Sequence, residues 1–299
     1  MDIIAIMKEN KTRKNNVLFT IALLAVLVYA SIVFGARVYL VALVTIAVSV
    51  LVEYVFHRIR KSPFGYSILV TPLLLTLLLP PTIPLWMAGV GAFFGTFFAK
   101  SLFGGEGAYI FNPAVAGILF LIITFPVQMN TSWLNPATGE IQTFTPVNAL
   151  RFDPSELYSI NDLLMGYTSG AIGETIRLGI LVLGVVLVLL KVIDWKLTVG
   201  FLVSMFVLQL VFNLFAGPHD PVYALLTGTT IFAAVFLVPD PVVAPKHWGA
   251  KLLYGAGIAL ITIVIRMFAA FPEGIIFALI IMSAVSPLLD SIFIKEVKV

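Results

Sequence analysis

The sequence predicts an all-α polytopic membrane protein with about ten transmembrane helices, arranged as two inverted halves of five helices each. Its composition is the first reason: 60% of the 299 residues are hydrophobic and only 11% are charged, against roughly a quarter in an ordinary soluble domain. A soluble fold cannot hide such an excess of apolar surface, so the excess must face lipid. Soluble enzymes, disordered proteins and nucleic-acid-binding proteins are therefore excluded as classes.

The order of the apolar segments is the second reason for this fold class. The ten predicted spans are 17–35, 38–56, 66–79, 85–99, 113–127, 172–190, 196–215, 222–238, 250–270 and 273–293. A helix needs about 20 residues to cross the hydrocarbon core. Three of the spans fall short of that length, and each is flanked by proline or glycine. We therefore predict that 66–79, 85–99 and 113–127 are broken or tilted helices, buried among their neighbours.

The distribution of basic residues predicts the orientation. Fourteen of the 18 Lys and Arg residues fall in alternate connecting segments and at the two ends of the chain. The positive-inside rule then places both termini in the cytoplasm of a multi-pass protein of the cell (inner) membrane. The predicted organisation is a cytoplasmic segment (1–16), a first membrane half (17–127), an extracytoplasmic loop (128–171) and a second membrane half (172–299).

The two halves resemble each other around spans three and eight. Each of these spans has threonine in its first part and ends at a pair of prolines, Pro80-Pro81 and Pro239/Pro241. Because each half has an odd number of spans, the second half would be inverted, and inverted repeats place a functional cavity at their interface. The long polar loop is expected to carry function, although it could be a plain connector.

Two glycine-containing motifs open predicted helices. Residues 104–114 read GGEGAYIFNPA, in which Asn112 is placed to cap a helix that begins at Pro113. Residues 168–175 read TSGAIGET. There Thr168 and Ser169 offer hydroxyl donors, Gly170 and Gly173 permit close backbone approach, and Glu174 suits a first helical turn. Helix capping and ligand contact both explain these motifs.

Four acidic and basic residues near span ends have simpler interpretations. Asp240, between two prolines, could bind a helix end or a subunit or be solvated, and we predict that it forms a structural turn. Glu53, Arg266 and Asp290 are candidates for a functional role as charges within or near spans, but we favour snorkelling, because all three lie close enough to a span end to reach water.

Cysteine is absent from the chain and histidine occurs only three times. The lack of cysteine excludes disulfides, cysteine-ligated zinc, iron–sulfur clusters held by this chain and thiol catalysis. Any redox chemistry of the chain must therefore use an organic cofactor. At this point a transporter and a redox carrier explain the sequence equally well.

The motifs, in this order, resemble a family of membrane electron-transport subunits. The family contains the D subunit of the Rnf ferredoxin:NAD complex and the B subunit of the sodium-pumping NADH:quinone oxidoreductase. The resemblance rests on residues 104–114, on the sequence GAIGET at 170–175, on Asp240-Pro241 and on the Pro-Glu-Gly turn at 272–274. It covers nearly the whole chain from about residue 60.

The resemblance implies a covalent FMN, joined through its phosphate to a threonine hydroxyl in a Ser/Thr-Gly-Ala-Thr sequence of the outer loop. Here the corresponding residues 142–147 read QTFTPV, so the Gly-Ala before the acceptor is missing. The Thr-Pro pair selects Thr145 as the acceptor, on a segment expected to be exposed and extended before Pro146, with Thr143 as the fallback. The flavin is expected near Thr168 and Ser169.

The resemblance also implies a second, non-covalent flavin (riboflavin or FMN) held between the halves. The chain would be one membrane subunit of an Rnf-type complex, with partner subunits that include a second flavin carrier, and would couple electron transfer to Na⁺ or H⁺ transport. It has no dinucleotide fingerprint, so it would not be a complete enzyme alone. The alternatives are a cofactor-free secondary transporter or channel, and a scaffold subunit that carries no flavin.

Overall fold

A computed structural model describes residues 3–61, 65–143, 145–152, 158–174, 176–216, 220–269, 271 and 273–293. Phe144, Thr175 and Pro272 of the motifs above therefore lie outside the described residues. The described chain is almost entirely helical, and its one small β-hairpin lies in the long loop.

The first half contains five helices and one irregular continuation. They are α1 (Ile3–Phe34), α2 (Arg37–Arg60), α3 (Val70–Leu78), α4 (Leu85–Phe94), which continues as a π-helical segment (Gly95–Ser101), and α5 (Pro113–Thr124). Asn112 caps α5 as predicted, because its side-chain oxygen accepts hydrogen bonds from the backbone N–H groups of Ala114 and Val115. The helix α3 has only nine residues and ends before Pro80-Pro81.

The long loop folds into short elements. These are α6 (Pro126–Thr131), the antiparallel strands β1 (Trp133–Leu134) and β2 (Ile141–Gln142), α7 (Pro146–Phe152) and α8 (Ile160–Met165). The last of them is capped by Ser159 at its start and ends at Gly166 in a left-handed conformation.

The second half begins with a 3₁₀ turn (Ile172–Glu174). It continues as α9 (Arg177–Leu189), α10 (Trp195–Ala216), α11 (Pro221–Leu226), α12 (Thr230–Phe236), α13 (Trp248–Phe268) and α14 (Ile275–Phe293). The predicted continuous span 222–238 is wrong, because Gly228 between α11 and α12 has a φ of +60°, which interrupts the helix.

Five of the described helices are long and apolar enough to cross a membrane: α1 from Glu9, α2, α10, α13 and α14. The remaining predicted spans coincide with shorter helices, and the short α3 and α5 agree with the prediction of incomplete helices. The molecule is thus an all-α membrane protein, whereas the number of about ten spans and the proposed domain boundaries stay predictions.

The helix ends gather at two opposite faces. At one end of the molecule, a cavity is lined by Asn16, Ser67, Asn112, Ile193 and Asp240. We call this end the basic face. At the other end, the loop face, the hydroxyl of Tyr29 donates to the carbonyl oxygen of Met165 at 3.4 Å. The 13 residues from Asn16 to Tyr29 rise about 20 Å along α1. The two ends of α1 therefore lie at opposite faces, whereas the alternation of connecting segments through ten spans stays a prediction.

The short helices of the two halves run in opposite directions. The chain enters α3 from the basic face, just after Ser67, whereas it leaves α12 at the basic face, beside Pro239. This antiparallel relation is the one expected of inverted repeats.

Candidate functional site

A cavity of about 270 Å³ opens at the basic face between the two halves. Side chains of α1, α3 and the 106–113 segment line it from the first half, and residues 192–193 and 236–242 line it from the second. Phe19 and Phe236 meet edge to face there, with ring centroids 5.5 Å apart. The cavity therefore offers an apolar wall together with polar groups from both halves.

Asn112 and Asp240 connect the two halves at this cavity. The Asn112 Nδ2 atom donates to Asp240 Oδ2 at 2.8 Å, while Asn112 Oδ1 caps α5. The Asp240 Oδ1 atom accepts from the backbone N–H of Val242 at 2.9 Å, so the predicted turn is present. The Tyr109 hydroxyl lies 3.3 Å from both carboxylate oxygens. Asp240 thus combines a turn with a contact between the halves, which the sequence did not reveal.

Burial is the main influence on the pKa values of Asp240 and Tyr109. Burial raises the pKa of Asp240 above its ordinary value, although hydrogen bonds from Val242, Asn112 and Tyr109 favour its ionised form. Burial and the neighbouring Asp240 carboxylate also raise the pKa of Tyr109 well above its ordinary value. Tyr109 therefore keeps its proton and remains a hydrogen-bond donor at neutral pH.

The 168–174 motif forms the second contact between the halves. The Ile172 N–H donates to the carbonyl oxygen of Leu79 at 3.0 Å, just beyond the end of α3. A Cβ on Gly173 would lie 2.8 Å from the carbonyl oxygen of Leu77, and a Cβ on Gly170 would collide with the Glu174 carboxylate. Close backbone approach is therefore the reason for glycine at 173, and the partner is the opposite half.

A buried ion pair follows this contact. Arg177 Nη2 lies 3.3 Å from Glu174 Oε2, and both side chains are more than nine-tenths buried. Arg177 Nη1 donates to the carbonyl oxygen of Leu163 at 2.6 Å and to Thr168 Oγ1 at 3.4 Å. Arg177 Nε is buried and has no hydrogen-bond partner among the described residues. The predicted Thr168 and Glu174 thus share one arginine.

Thr145 is placed differently from the expectation. The residue is buried, with 9% of its surface exposed, whereas an exposed segment was expected. Its Oγ1 accepts from the Asn148 N–H at 3.5 Å, and its carbonyl oxygen accepts from Ala149 at 3.0 Å. Thr145 is therefore the N-cap of α7, with Pro146 at the first helical position. Thr143 is exposed instead.

Tyr158 joins the Thr145 segment to the 168–174 motif. Its hydroxyl donates to Gln142 Oε1 at 3.2 Å and lies 3.4 Å from Ser169 Oγ. Its backbone N–H donates to the Tyr223 hydroxyl at 3.1 Å. One tyrosine thus lies between Gln142 and Ser169, and Ser169 was predicted to lie near the Thr145 segment.

Comparison with known proteins decides the family. A family model described as the NQR2, RnfD, RnfE family matches residues 5–298 of this chain. The chain belongs to the NQR2, RnfD, RnfE family. The resemblance inferred from the motifs is therefore confirmed.

The relatives of this chain are named as subunits of two kinds of complex. The B subunit of the Na⁺-translocating NADH-quinone reductase of Chromohalobacter salexigens is 32% identical over 90% of this chain and 68% of its own length. The protein of the same name from Azotobacter vinelandii is 33% identical over 81% of this chain. The D subunit of the Na⁺-translocating ferredoxin:NAD⁺ oxidoreductase complex of Acetobacterium woodii is 32% identical over 92%.

The relatives differ in length from this family member. The chain spans 63% of the Azotobacter vinelandii protein and 68% of the Chromohalobacter salexigens one, but 87% of the relative from Acetobacterium woodii. In length it is thus closer to the ferredoxin:NAD⁺ oxidoreductase relative than to the two NADH-quinone reductase relatives.

Two buried charges of this family member correct the snorkelling prediction. Glu53 is 4% exposed, and its Oε1 lies 2.7 Å from the buried Lys100 Nζ. Arg266 is 6% exposed, donates to Thr230 Oγ1 at 2.9 Å and pairs with Glu273 at 3.3 Å. Neither side chain reaches water, because each has a partner on another element of the fold.

Several residues of the two contacts were not predicted from the sequence. Tyr109, Tyr158 and Tyr223 were not singled out, and Arg177 was counted only as a basic residue at an outer edge. One signal was available: Arg177 follows Glu174 by three residues, a spacing that brings side chains together on a helix. Nothing in the sequence indicated the tyrosine contacts, since each of them joins distant segments.

Proposed function

We propose that this chain is a membrane subunit of an ion-translocating electron-transport complex of the Rnf or Nqr type, and that it carries electrons through a covalently bound FMN. The observation that carries the proposal is the family match over residues 5–298. The relatives named above are subunits of Na⁺-translocating reductases. The coupling ion of this chain is accordingly Na⁺ or H⁺, and its partners are the other subunits, among them a second flavin carrier.

We propose Thr145 as the FMN attachment residue. Its hydroxyl stands at the start of α7, where the exposed backbone N–H groups of a helix favour a negative charge. Thr168 and Ser169 lie on the other side of Tyr158, and Arg177 Nε lacks a partner among the described residues. A hydroxyl at a helix start, further hydroxyl donors and one guanidinium N–H without a partner among the described residues are groups that suit a phosphate ester. Thr143 is the fallback, because it is the exposed hydroxyl of the same segment.

We further propose that the cavity at the basic face holds the second, non-covalent flavin (riboflavin or FMN). Its volume of about 270 Å³ is close to the lower end of small-molecule sites, roughly 300 Å³. Phe19 and Phe236 suit the apolar face of a ring system, while Asn112, Tyr109 and Asp240 suit its polar edge. Gly170, Gly173 and Glu174 would not touch this flavin: Gly173 lies against Leu77 of the first half at the other contact, and Gly170 and Glu174 lie beside it.

A flavin supplies electron transfer without a cysteine or a metal, which suits a chain without cysteine. The residues of the chain provide the attachment oxygen, the hydrogen-bond donors and the apolar walls. Substrate oxidation and reduction belong to partner subunits in this proposal, since the chain has no dinucleotide-binding motif.

The test replaces Thr145 with residues that separate its two roles. Thr145→Asn keeps an excellent N-cap, so α7 should persist, but it removes the hydroxyl that forms the ester. With the flavin transferase co-expressed, the wild-type band should fluoresce after denaturing electrophoresis and the Thr145→Asn band should be dark. Thr145→Ser keeps both roles and should retain fluorescence.

Thr143→Val is the matched control, because it removes the neighbouring hydroxyl and leaves the α7 cap intact. It should fluoresce like the wild type. Fluorescence of Thr145→Asn together with a dark Thr143→Val band would move the attachment to Thr143. A dark wild-type band would favour the scaffold or the cofactor-free transporter.

A further inference from the structure

A second cavity, of about 430 Å³, opens at the basic face among the ends of α9, α10 and α13. Three lysines line it, Lys191, Lys246 and Lys251, and Asp194 is its one lining acid. Trp195 lies at its edge. We call this cavity the lysine cleft.

Only one of the three lysines of the cleft is neutralised. Lys251 Nζ lies 2.6 Å from Asp194 Oδ2. Burial opposes the ionisation of Asp194, but hydrogen bonds from Lys251 and from the Lys196 N–H keep its pKa below the ordinary value. Lys191 and Lys246 are exposed, and neither has an ion pair within the part of the chain that the structure describes. The lysine cleft therefore has an excess of positive charge.

The backbone N–H groups at the start of α13 do not add to the positive charge of the cleft. The backbone N–H groups of Lys246 and His247 donate to the Asp290 carboxylate at 2.9–3.0 Å, and the Gly249 N–H donates to His247 Nδ1. These amides are already satisfied, so an anion in the cleft would be held by the lysine side chains.

Lys191 occupies a backbone position that favours glycine. After α9, the Val192 N–H donates to the Leu187 carbonyl and the Lys191 N–H to the Val188 carbonyl, each at 2.9 Å. This is the Schellman pattern, in which the residue at the position of Lys191 is usually glycine. Lys191 has a φ of +58°, a conformation that is costly for a side chain with a Cβ. The end of α9 thus places Lys191 at the lining of the cleft, in spite of the cost of this backbone conformation.

Exposed apolar residues stand next in the chain to the residues that line the cleft, and we call them its rim. Leu189 is three-quarters exposed, and Leu190 and Trp195 are about half exposed, at the ends of α9 and α10. Leu252 and Leu253 are exposed at the start of α13. Tryptophan and lysine at the end of a membrane helix mark the level of the lipid headgroups. An occupant of the cleft would therefore meet cations and apolar side chains together.

We propose that the lysine cleft binds an anionic phospholipid, with its phosphate between Lys191 and Lys246 and its acyl chains against the leucines of the rim. Basic pockets between membrane helices are suited to such headgroups. An inorganic phosphate ion or a soluble acidic peptide would use the lysines but not the rim. The proposal does not depend on a flavin in the protein.

Native mass spectrometry of the full-length chain tests the proposal, after purification in mixed micelles that contain phosphatidylglycerol or phosphatidylcholine. The wild type should retain phosphatidylglycerol in preference to phosphatidylcholine. Lys191→Gly and Lys246→Gln should each weaken the retention of phosphatidylglycerol about fivefold. One lysine near an anionic headgroup raises the binding constant by about this factor. Lys191→Gly should not lower the melting temperature, because it relieves the left-handed backbone.

Lys61→Gly is the matched control. Lys61 follows α2 at the same face with a φ of +53°, but it does not line the lysine cleft. This variant removes the same charge from the same backbone conformation and should retain phosphatidylglycerol like the wild type. An equal loss in Lys61→Gly would mean bulk charge attraction and would overturn the proposal. Equal protection of the protein from heat by inorganic phosphate and by phosphatidylglycerol would overturn it as well.

Discussion

The two contacts between the halves differ in how closely the chain approaches itself. At the loop face, the 172–174 turn lies against the end of α3, where Gly173 has no room for a Cβ. At the basic face, Asn112 and Asp240 meet at the edge of a cavity of about 270 Å³. A tight contact fixes the relative position of the halves, whereas an open one leaves room for a ligand.

This difference separates two ways of holding a cofactor. An exchangeable flavin suits the open contact, where both halves line the space. A covalent flavin suits the loop face, where the proposed attachment residue Thr145 is in the loop and not in the tight contact itself. Variants at the two contacts should therefore have different consequences. The largest effect is expected at the buried ion pair and the smallest at the N-cap of α7.

The buried Arg177 gives the largest expected effect. Arg177→Met leaves Glu174 buried without its cation, which should destabilise the protein by about 3–5 kcal/mol. The double variant Arg177→Met with Glu174→Gln removes both charges and should recover part of this loss. Melting temperatures in one detergent measure both. Equal stability of Arg177→Met and wild type would show that the ion pair does not hold the loop-face contact.

Gly173 tests the tightness of that contact. Gly173→Ala places a Cβ 2.8 Å from the Leu77 carbonyl oxygen and should cost about 1–3 kcal/mol. Gly89→Ala in α4 is the control, because a Cβ there meets its nearest neighbour at 3.4 Å. Thermal unfolding should separate the two variants. A Gly173→Ala protein as stable as Gly89→Ala would contradict the close approach.

Asp240 tests the open contact. Asp240→Asn removes the charge that Asn112 and Tyr109 face, a change of about 1.5–3 kcal/mol for hydrogen bonds to a charged group. The flavin released by denaturation should fall, while the covalently attached flavin stays at the wild-type level. A parallel loss of both flavins would mean that the two contacts do not act separately.

The smallest expected change in stability is at Thr145. Loss of the N-cap in Thr145→Val should cost about 1 kcal/mol, and Thr145→Asn should restore it. Neither variant should fluoresce. If Thr145→Val is as stable as Thr145→Asn, the cap contributes nothing and α7 is held by tertiary contacts.

Local signals in the sequence predicted part of this structure correctly. The cap at Asn112 with Pro113 after it and the short α3 before two prolines were both predicted, and the alternation of the helix ends stays a prediction. The cap and the end of α3 depend on a few neighbouring residues. The alternation depends on charged residues, which the lipid excludes from the interior of the membrane. The motif resemblance likewise predicted the family.

The wrong predictions concern long-range partners. Glu53 was expected to reach water, but its partner Lys100 lies 47 residues further along the chain. Thr145 was expected to be exposed, whereas it caps a helix and is buried. The glycine at 173 depends on Leu77, in the other half. Hydropathy and residue spacing reflect residues that are close in sequence. These contacts join residues that are far apart in sequence, so they depend on tertiary packing.

The most direct test of the account is a measurement of total flavin in the wild-type chain, expressed with its flavin transferase and precipitated with acid. Flavin is expected in both fractions: FMN in the pellet, on the peptide that contains Thr145, and a second flavin in the supernatant. Mass spectrometry of the digested pellet identifies the labelled threonine. A purified, folded chain with no flavin in either fraction would contradict the proposal that it carries electrons.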